Sequence, residues 1–224
     1  MGKSIIRLAE NDSEFKVIGK IEVNPNPEFE IVSSLGDVKD ACDCIIEFTS
    51  PQATMTHLKW AKQKHIAMVI GTTGLTNEEV QTIEDAAGEI PIVFSPNMSV
   101  GVNVLFTLIE KTAKMLGSEY KPSIKEAHHV HKKDKPSGTA ELMARIAGFA
   151  QKNTKVPIES VREGEIIGDH EITFESGVDT IKISHSAKTR DILALGALKA
   201  SKFIAKKKNG FFSMKNVLKI EEEK

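Results

Sequence analysis

The sequence predicts an α/β protein in two parts: a doubly wound parallel sheet whose first strand is missing, and an α+β unit inserted into it. Three observations predict this. Between residues 43 and 95 short apolar runs alternate with helical patterns, the β-α-β-α-β order that calls for parallel strands and right-handed crossovers. Beyond Gly117 that grammar changes to longer strands joined by a hairpin. The chain also opens on a helix, whereas a doubly wound domain ordinarily opens on a strand and a glycine-rich turn.

Taken in order, residues 2–10 read as a short helix with Ile5, Ile6 and Ala9 on one side, and Lys16 to Val23 as a strand. The Asn24-Pro25-Asn26-Pro27 loop leads to a short apolar piece at Ile31-Val32. Asp43 to Phe48 is then a second strand, DCIIEF. Ser50-Pro51 opens a helix, with Ser as cap and Pro at the first helical position; Thr54, Leu58 and Ala61 mark its apolar side and Trp60 packs in the core. Ile66 to Ile70 is continuously apolar, as in a strand covered on both faces, and ends in Gly71-Thr72-Thr73-Gly74. Thr76 and Glu79 form a capping box for a helix carrying Val80, Ile83 and Ala87 and stopped at Gly88, and Ile90 to Ser95 is another strand.

Ser99 to Gly117 holds the clearest helical pattern, with Val102, Leu105, Phe106, Ile109, Ala113 and Leu116 at helical spacing. A histidine-rich strand, Ile124 to His131, and a helix from Ser137 follow. Strand-like runs come next at Ile158 to Val161, His170 to Glu175 and Thr180 to Ser186, the last two joined through Ser176-Gly177 as a hairpin. Leu193, Ala197, Ala200 and Ile204 mark a final long helix closed by Asn209-Gly210, and Ser213 starts a short last one. The tail from Glu221 to Lys224 is expected to fray.

A chain of 224 residues has room for two compact units, which fits the change of grammar. With 27% charged residues and a net charge of −1 there is no bulk attraction to nucleic acid or membrane, so any basic site must be local. Cys42 and Cys44 stand one residue apart on a strand, a poor geometry for a mutual disulfide, which points to a reducing compartment. No apolar run reaches the ~18 residues of a membrane span. No signal-peptide core follows Met1, and Ile6 stands where a myristoylation motif wants Ser or Thr. The expected location is the cytoplasm.

Chemistry concentrates in IKEAHHVHKKDKPSGTA, residues 124–140. Strand alternation would put His129 and His131 on one face and His128 and Val130 on the other. Ser137 is the candidate N-cap of the next helix, on which Ala140, Met143, Ala147 and Ala150 recur at helical spacing, so Gly138 and Thr139 lie in its first turn. N–H groups there lack intrahelical partners and the helix dipole adds positive potential, which suits a carboxylate or phosphate. Lys132, Lys133 and Lys135 add charge, and an imidazole exchanges protons near neutral pH. The reading is an anion pocket with a proton donor. A solvated basic loop and a metal site built on the HxH spacing are the alternatives; the latter lacks a supporting Cys or carboxylate, so no metal is expected. Ligands of open parallel sheets bind beyond the carboxyl ends of the strands, here Glu22-Val23, Phe48-Thr49, Gly71-Thr72-Thr73 and Ser95-Pro96-Asn97. Glu22 lies 20 residues beyond Gly2, a spacing that suits a carboxylate bonded to an adenosine ribose, and no arginine follows it to favour a 2′-phosphate.

Together EFTSP (47–51), VIGTTG (69–74), NMSVGVN (97–103), EAHHVHKKDKPSGTA (126–140), GDHEITF (168–174) and the HSAKTR to LGALKA stretch resemble the 4-hydroxy-tetrahydrodipicolinate reductase family, also called dihydrodipicolinate reductase, nearly end to end. The resemblance implies a Rossmann-like dinucleotide-binding domain from residues 1–99 plus 191–224, and a substrate-binding, oligomerising domain at 100–190 that builds a homotetramer. It implies NADH or NADPH as cofactor and an unsaturated cyclic dicarboxylate as substrate, reduced with loss of water. Carried over by position, His128 is the acid/base residue, Lys132 a proton donor, and His129, Gly138 and Thr139 substrate contacts. Met1, Glu22, Gly71, Thr72, Thr73, Ser95, Pro96, Asn97 and Met98 would contact the cofactor.

Departures from the family pattern are Lys135 where a small residue is usual, Met98 where Phe is usual, and a segment from Lys152 to Glu163 shorter than in the longer members. Family members begin with a strand and a glycine-rich turn whose last residues align with Met1-Gly2, so the expectation is that the natural protein begins upstream. Competing readings are another two-domain NAD(P)-dependent oxidoreductase, and a non-catalytic oligomeric relative without dinucleotide binding; the neutral charge balance disfavours a nucleic-acid role.

Overall fold

The computed structural model describes residues 1–152 and 154–220. The expectation of a frayed tail at 221–224 lies outside them. The chain divides into two compact units, one formed by residues 1–99 with the chain from Leu193 onward, the other by Val100–Ile192.

The first unit opens on helix α1 (Gly2–Glu10), followed by two-residue strands β1 (Lys20–Ile21) and β2 (Ile31–Val32), paired in parallel as a small sheet of their own. The strand expected over Lys16 to Val23 is therefore cut to its centre. Its partner offers only two residues for a ladder. A second, fully parallel sheet has the order β10-β5-β4-β3, with β3 (Cys44–Glu47), β4 (Ala67–Ile70), β5 (Pro91–Phe94) and β10 (Gly210–Phe212). Helix α2 (Pro51–Lys64) starts as the sequence requires, Ser50 accepting from the Ala53 N–H, and α3 (Asn77–Ala86) has both bonds of the Thr76/Glu79 capping box. Leu58 and Ala61 of α2, Ile83 and Ala86 of α3, and Ile45, Met68, Ile70 and Ile92 of the strands form the core.

Helix α6 (Asp191–Ile204) and helix α7 (Met214–Val217) frame a strand that sequence reading passed over. Asn209-Gly210 does not simply close a helix. Gly210 has φ +124°, donates its N–H to Ala87 O at 2.7 Å and opens edge strand β10 against β5. A three-residue apolar strand has no alternation to betray it.

The second unit is a mixed sheet of order β7-β6-β8-β9, from β6 (Lys121–His128), β7 (Ile158–Arg162), β8 (Asp169–Glu175) and β9 (Thr180–Ser186). Two helices, α4 (Val100–Leu116) and α5 (Gly138–Ala150), cover one face. Val102, Leu105, Phe106, Ile109 and Ala113 of α4 and Ala140, Met143 and Ala147 of α5 meet Ile124, Ile172 and Phe174 of the sheet. Those three sheet residues alternate with exposed or half-exposed polar ones, the period-2 pattern of a sheet covered on one side.

Candidate active site

Along β6 the covered face of this sheet turns from apolar to polar. One row across the strands is Ile158, Ile124, Ile172, Ile183; the next is Ser160, Glu126, His170, His185. Cross-strand partners point to the same face, so register alone brings these polar side chains together.

Glu126 is the hub. It is 0% exposed, and its carboxylate accepts from Arg162 Nη2 at 2.9 Å and Nη1 at 3.0 Å, from the Ser137 N–H at 3.3 Å, and faces His128 Nδ1 at 2.5 Å. Burial by itself would raise its pKa. The two-pronged guanidinium, the Ser160 hydroxyl and His128 outweigh it and hold the carboxyl down to about 2. The hub is thus anionic at any working pH, and it fixes both the imidazole and the start of α5.

His128, the last residue of β6, is 8% exposed. Its pKa is lowered: burial dominates, Glu126 opposes, and Lys132 and Arg162 push it down further. A neutral ring giving its Nδ1 proton to Glu126 keeps its lone pair on Nε2. Beside that nitrogen stands Gly168, where a methyl group would lie 3.1 Å from His128 Nε2 and 3.6 Å from His170 Cε1. His170 meets His128 edge to face, ring centroids 5.2 Å apart, and its Nε2 is 3.3 Å from the Ser137 hydroxyl. Burial, then the neighbouring His128, lowers the His170 pKa to about 4, so it is a neutral wall of the site.

Ser137 caps α5, its hydroxyl accepting from the Ala140 N–H at 3.2 Å, and the helical ladder begins with Glu141 N–H to Ser137 O. Gly138 and Thr139 stand at the mouth of the helix as the sequence indicates, above the Glu126 hub. Lys132 reaches back to Asp134 at 2.8 Å. The histidines part company here. Strand β6 ends at His128, not His131, because its neighbours end at the same level: β7 stops at Arg162, β8 starts opposite Ala127, and Glu163 N–H closes on His128 O. His129 and His131 therefore lie in the loop rather than on a strand face. His129 Nε2 accepts from Arg190 at 2.8 Å, while exposed His131 lies 3.6 Å from Glu165.

In the first unit the register aligns Glu47 with Ile70 and Ile70 with Phe94, so the loops after β3, β4 and β5 leave at one level. Gly71, Thr73, Pro96 and Asn97 face outward wholly or in part, and Thr72, Ser95 and Met98 are buried beneath them. None of these loop residues is acidic. A methyl at Gly71 would sit 2.3 Å from the half-buried Phe48 ring, which would have to shift to admit it; as glycine, the residue presents main chain. Glu22 follows β1 and accepts from the Val23 N–H, and Met1 O accepts from the Ser4 and Ile5 N–H groups at the start of α1.

Sequence reasoning assigned no role to Glu126, Arg162, Gly168, His170 or Arg190. Arg162 lies 36 residues from the carboxylate it serves, and no local pattern announces that pairing.

Two family models match the chain: "Dihydrodipicolinate reductase, N-terminus" over residues 1–98 and "Dihydrodipicolinate reductase, C-terminus" over residues 101–218. Among curated relatives, a 4-hydroxy-tetrahydrodipicolinate reductase from Caldanaerobacter subterraneus is 38% identical across 98% of this chain and 94% of its own length. One from Nitrosomonas eutropha is 44% identical across 79% of this chain and 73% of its own. Among solved structures, a dipicolinate-bound dihydrodipicolinate reductase from Paenisporosarcina sp. superposes with a TM-score of 0.80 at 20% identity, covering 95% of this chain and 92% of that one. At that identity the likeness is one of fold.

Proposed function

Because the chain belongs to the dihydrodipicolinate reductase family, we propose that it reduces 4-hydroxy-tetrahydrodipicolinate to tetrahydrodipicolinate with NADH or NADPH, a step of lysine and diaminopimelate biosynthesis. The observation that carries the reading is the placing of His128 and the Ser137-capped mouth of α5 on one buried carboxylate, Glu126.

The Gly138 and Thr139 main-chain N–H groups bind one carboxylate of the substrate, aided by the dipole of α5. His128 exchanges a proton at Nε2, with Glu126 holding Nδ1–H and so fixing both tautomer and ring orientation. Lys132 donates a proton to the substrate, and Asp134, 2.8 Å from its ammonium, orients it. His129 is a substrate contact, oriented by Arg190.

Gly71, Thr72, Thr73, Ser95, Pro96, Asn97 and Met98, with Glu22 and Met1, hold the dinucleotide, which supplies the hydride when bound. Aligned strand ends, loops without acidic residues and a glycine that leaves its main chain open suit an anionic, extended ligand. In this reading the first unit is the dinucleotide-binding domain, and the second binds substrate and assembles the homotetramer.

Assay of NADH and NADPH oxidation with freshly generated substrate tests the proposal. The wild-type chain turns over, and His128→Ala lowers kcat by ~10²-fold or more, as loss of a general acid or base does. No oxidation of either nucleotide by folded protein, or a near-normal kcat in the variant, would overturn the activity or the role of His128 respectively.

A further inference from the structure

A second buried carboxylate stands in the first unit, at the end of β3. Glu47 is 2% exposed, and its side chain accepts from the Thr49 hydroxyl and from His57 Nδ1, both in very short contacts. His57 comes from α2, whose Ser50-Pro51 start sets the helical register that also buries Thr54 and Leu58. Three ties from this part of the unit run to one neighbour, the loop after β4. Glu47 O accepts from the Gly71 N–H at 2.9 Å, and the Thr49 N–H donates to Thr72 Oγ1 at 3.1 Å. Thr54 Oγ1 lies 3.0 Å from the same oxygen.

We infer that Glu47 and His57 are positioning residues for the dinucleotide: they fix Thr49, Thr49 and Thr54 fix the buried Thr72 hydroxyl, and Thr72 sets the exposed main chain of Gly71 and Thr73. The inference rests on the assignment of that loop to the cofactor. A carboxylate at this depth needs partners. A merely structural carboxylate needs them anywhere; this one takes them from Thr49 and α2, both of which bond the loop directly. With the imidazole gone, Glu47 must draw water or rotate, and the Thr49 hydroxyl and amide move with it. The loop then samples conformations in which the dinucleotide does not fit.

Calorimetric titration of NADH and NADPH into His57→Leu, His57→Asn and Thr73→Glu, beside steady-state kinetics and thermal melts, tests this. His57→Leu is expected to weaken nucleotide affinity about tenfold or more, raising KM for the nucleotide while kcat and KM for the dicarboxylate stay within about twofold. His57→Asn, whose Nδ2 replaces Nδ1 as a donor, recovers most of that affinity. Glu47→Gln follows His57→Leu. Wild-type affinity in a folded His57→Leu, or no recovery in His57→Asn, overturns the inference, as does an equal loss of kcat, both KM values and melting temperature. Thr73→Glu separates the two readings. If it weakens nucleotide binding while His57→Leu does not, the inference alone fails; if it leaves binding intact, the loop is not the cofactor's and both fail.

Discussion

The role proposed for His128 depends on what surrounds it, and two of its neighbours make that testable. At Gly168 a methyl group would stand 3.1 Å from His128 Nε2, so the imidazole would have to give by a few tenths of an ångström. Gly168→Ala should therefore lower kcat by about tenfold or more with a near-native circular dichroism spectrum; an unchanged kcat would show that this nitrogen does not face substrate. His170 reports through stability. Its pKa is about 4 in the fold against the ordinary 6.5, so between those values the unfolded chain binds a proton that the native one refuses. Stability is whole above about pH 6.5 and falls as pH drops toward 4, by ~3 kcal/mol from this group. Glu126 adds its own loss lower down, between about 4.5 and 2. Denaturant melts of wild type and His170→Asn from pH 4 to 7 check the sign: the slope should flatten in the variant, and an equal slope would exclude His170 as its source.

Among the elements, α5 and α6 show two ways in which a helix serves a site. Helix α5 is tied down at its mouth: Ser137 caps it, and the same residue touches Glu126 and His170, so the cap that ends the loop also registers the first turn of α5 against His128. Helix α6 is useful by lying close. Gly196 interrupts a good helical pattern, at a cost of about 1 kcal/mol relative to alanine in an exposed helix, and its reason is packing. A methyl there would be 1.7 Å from Met98 O, so the helix presses on the main chain of the Asn97–Ser99 turn. The neighbour is backbone and cannot step aside. Gly196→Ala is thus expected to cost about 2 kcal/mol or more, lowering Tm by roughly 4 °C or more. Differential scanning calorimetry measures it; a stabilised variant, the outcome helix propensity alone predicts, would refute the close packing.

At the scale of the molecule, each unit has its own core, and a polar cluster in each sits at the end of a strand rather than in the apolar layer. The face of the second unit's sheet turned away from α4 and α5 is polar, with Lys125 paired to Glu159 and Lys182 to Glu171. If the second unit assembles the protein as proposed, sedimentation equilibrium at micromolar concentration will give four times the chain mass of 24.6 kDa. A stable monomer that still turns over would remove assembly from the function.

Local physics was enough for the parts that repeat or announce themselves. Helix starts at Ser50 and Ser137, the Thr76/Glu79 box, the buried run before Gly71 and the hairpin at Ser176-Gly177 all follow from periodicity and capping, because those forces act within a few residues. The motif that contains His128, Lys132, Gly138 and Thr139 was likewise legible. What the chain alone could not disclose depends on register and on partners distant in sequence. The two-residue length of β1, the edge strand β10, the end of the histidine strand at His128, and the choice of Glu126, Arg162, Gly168 and His170 as its company are of this kind. Strand pairing places side chains by which residues stand opposite, and that is decided when separate segments meet in three dimensions.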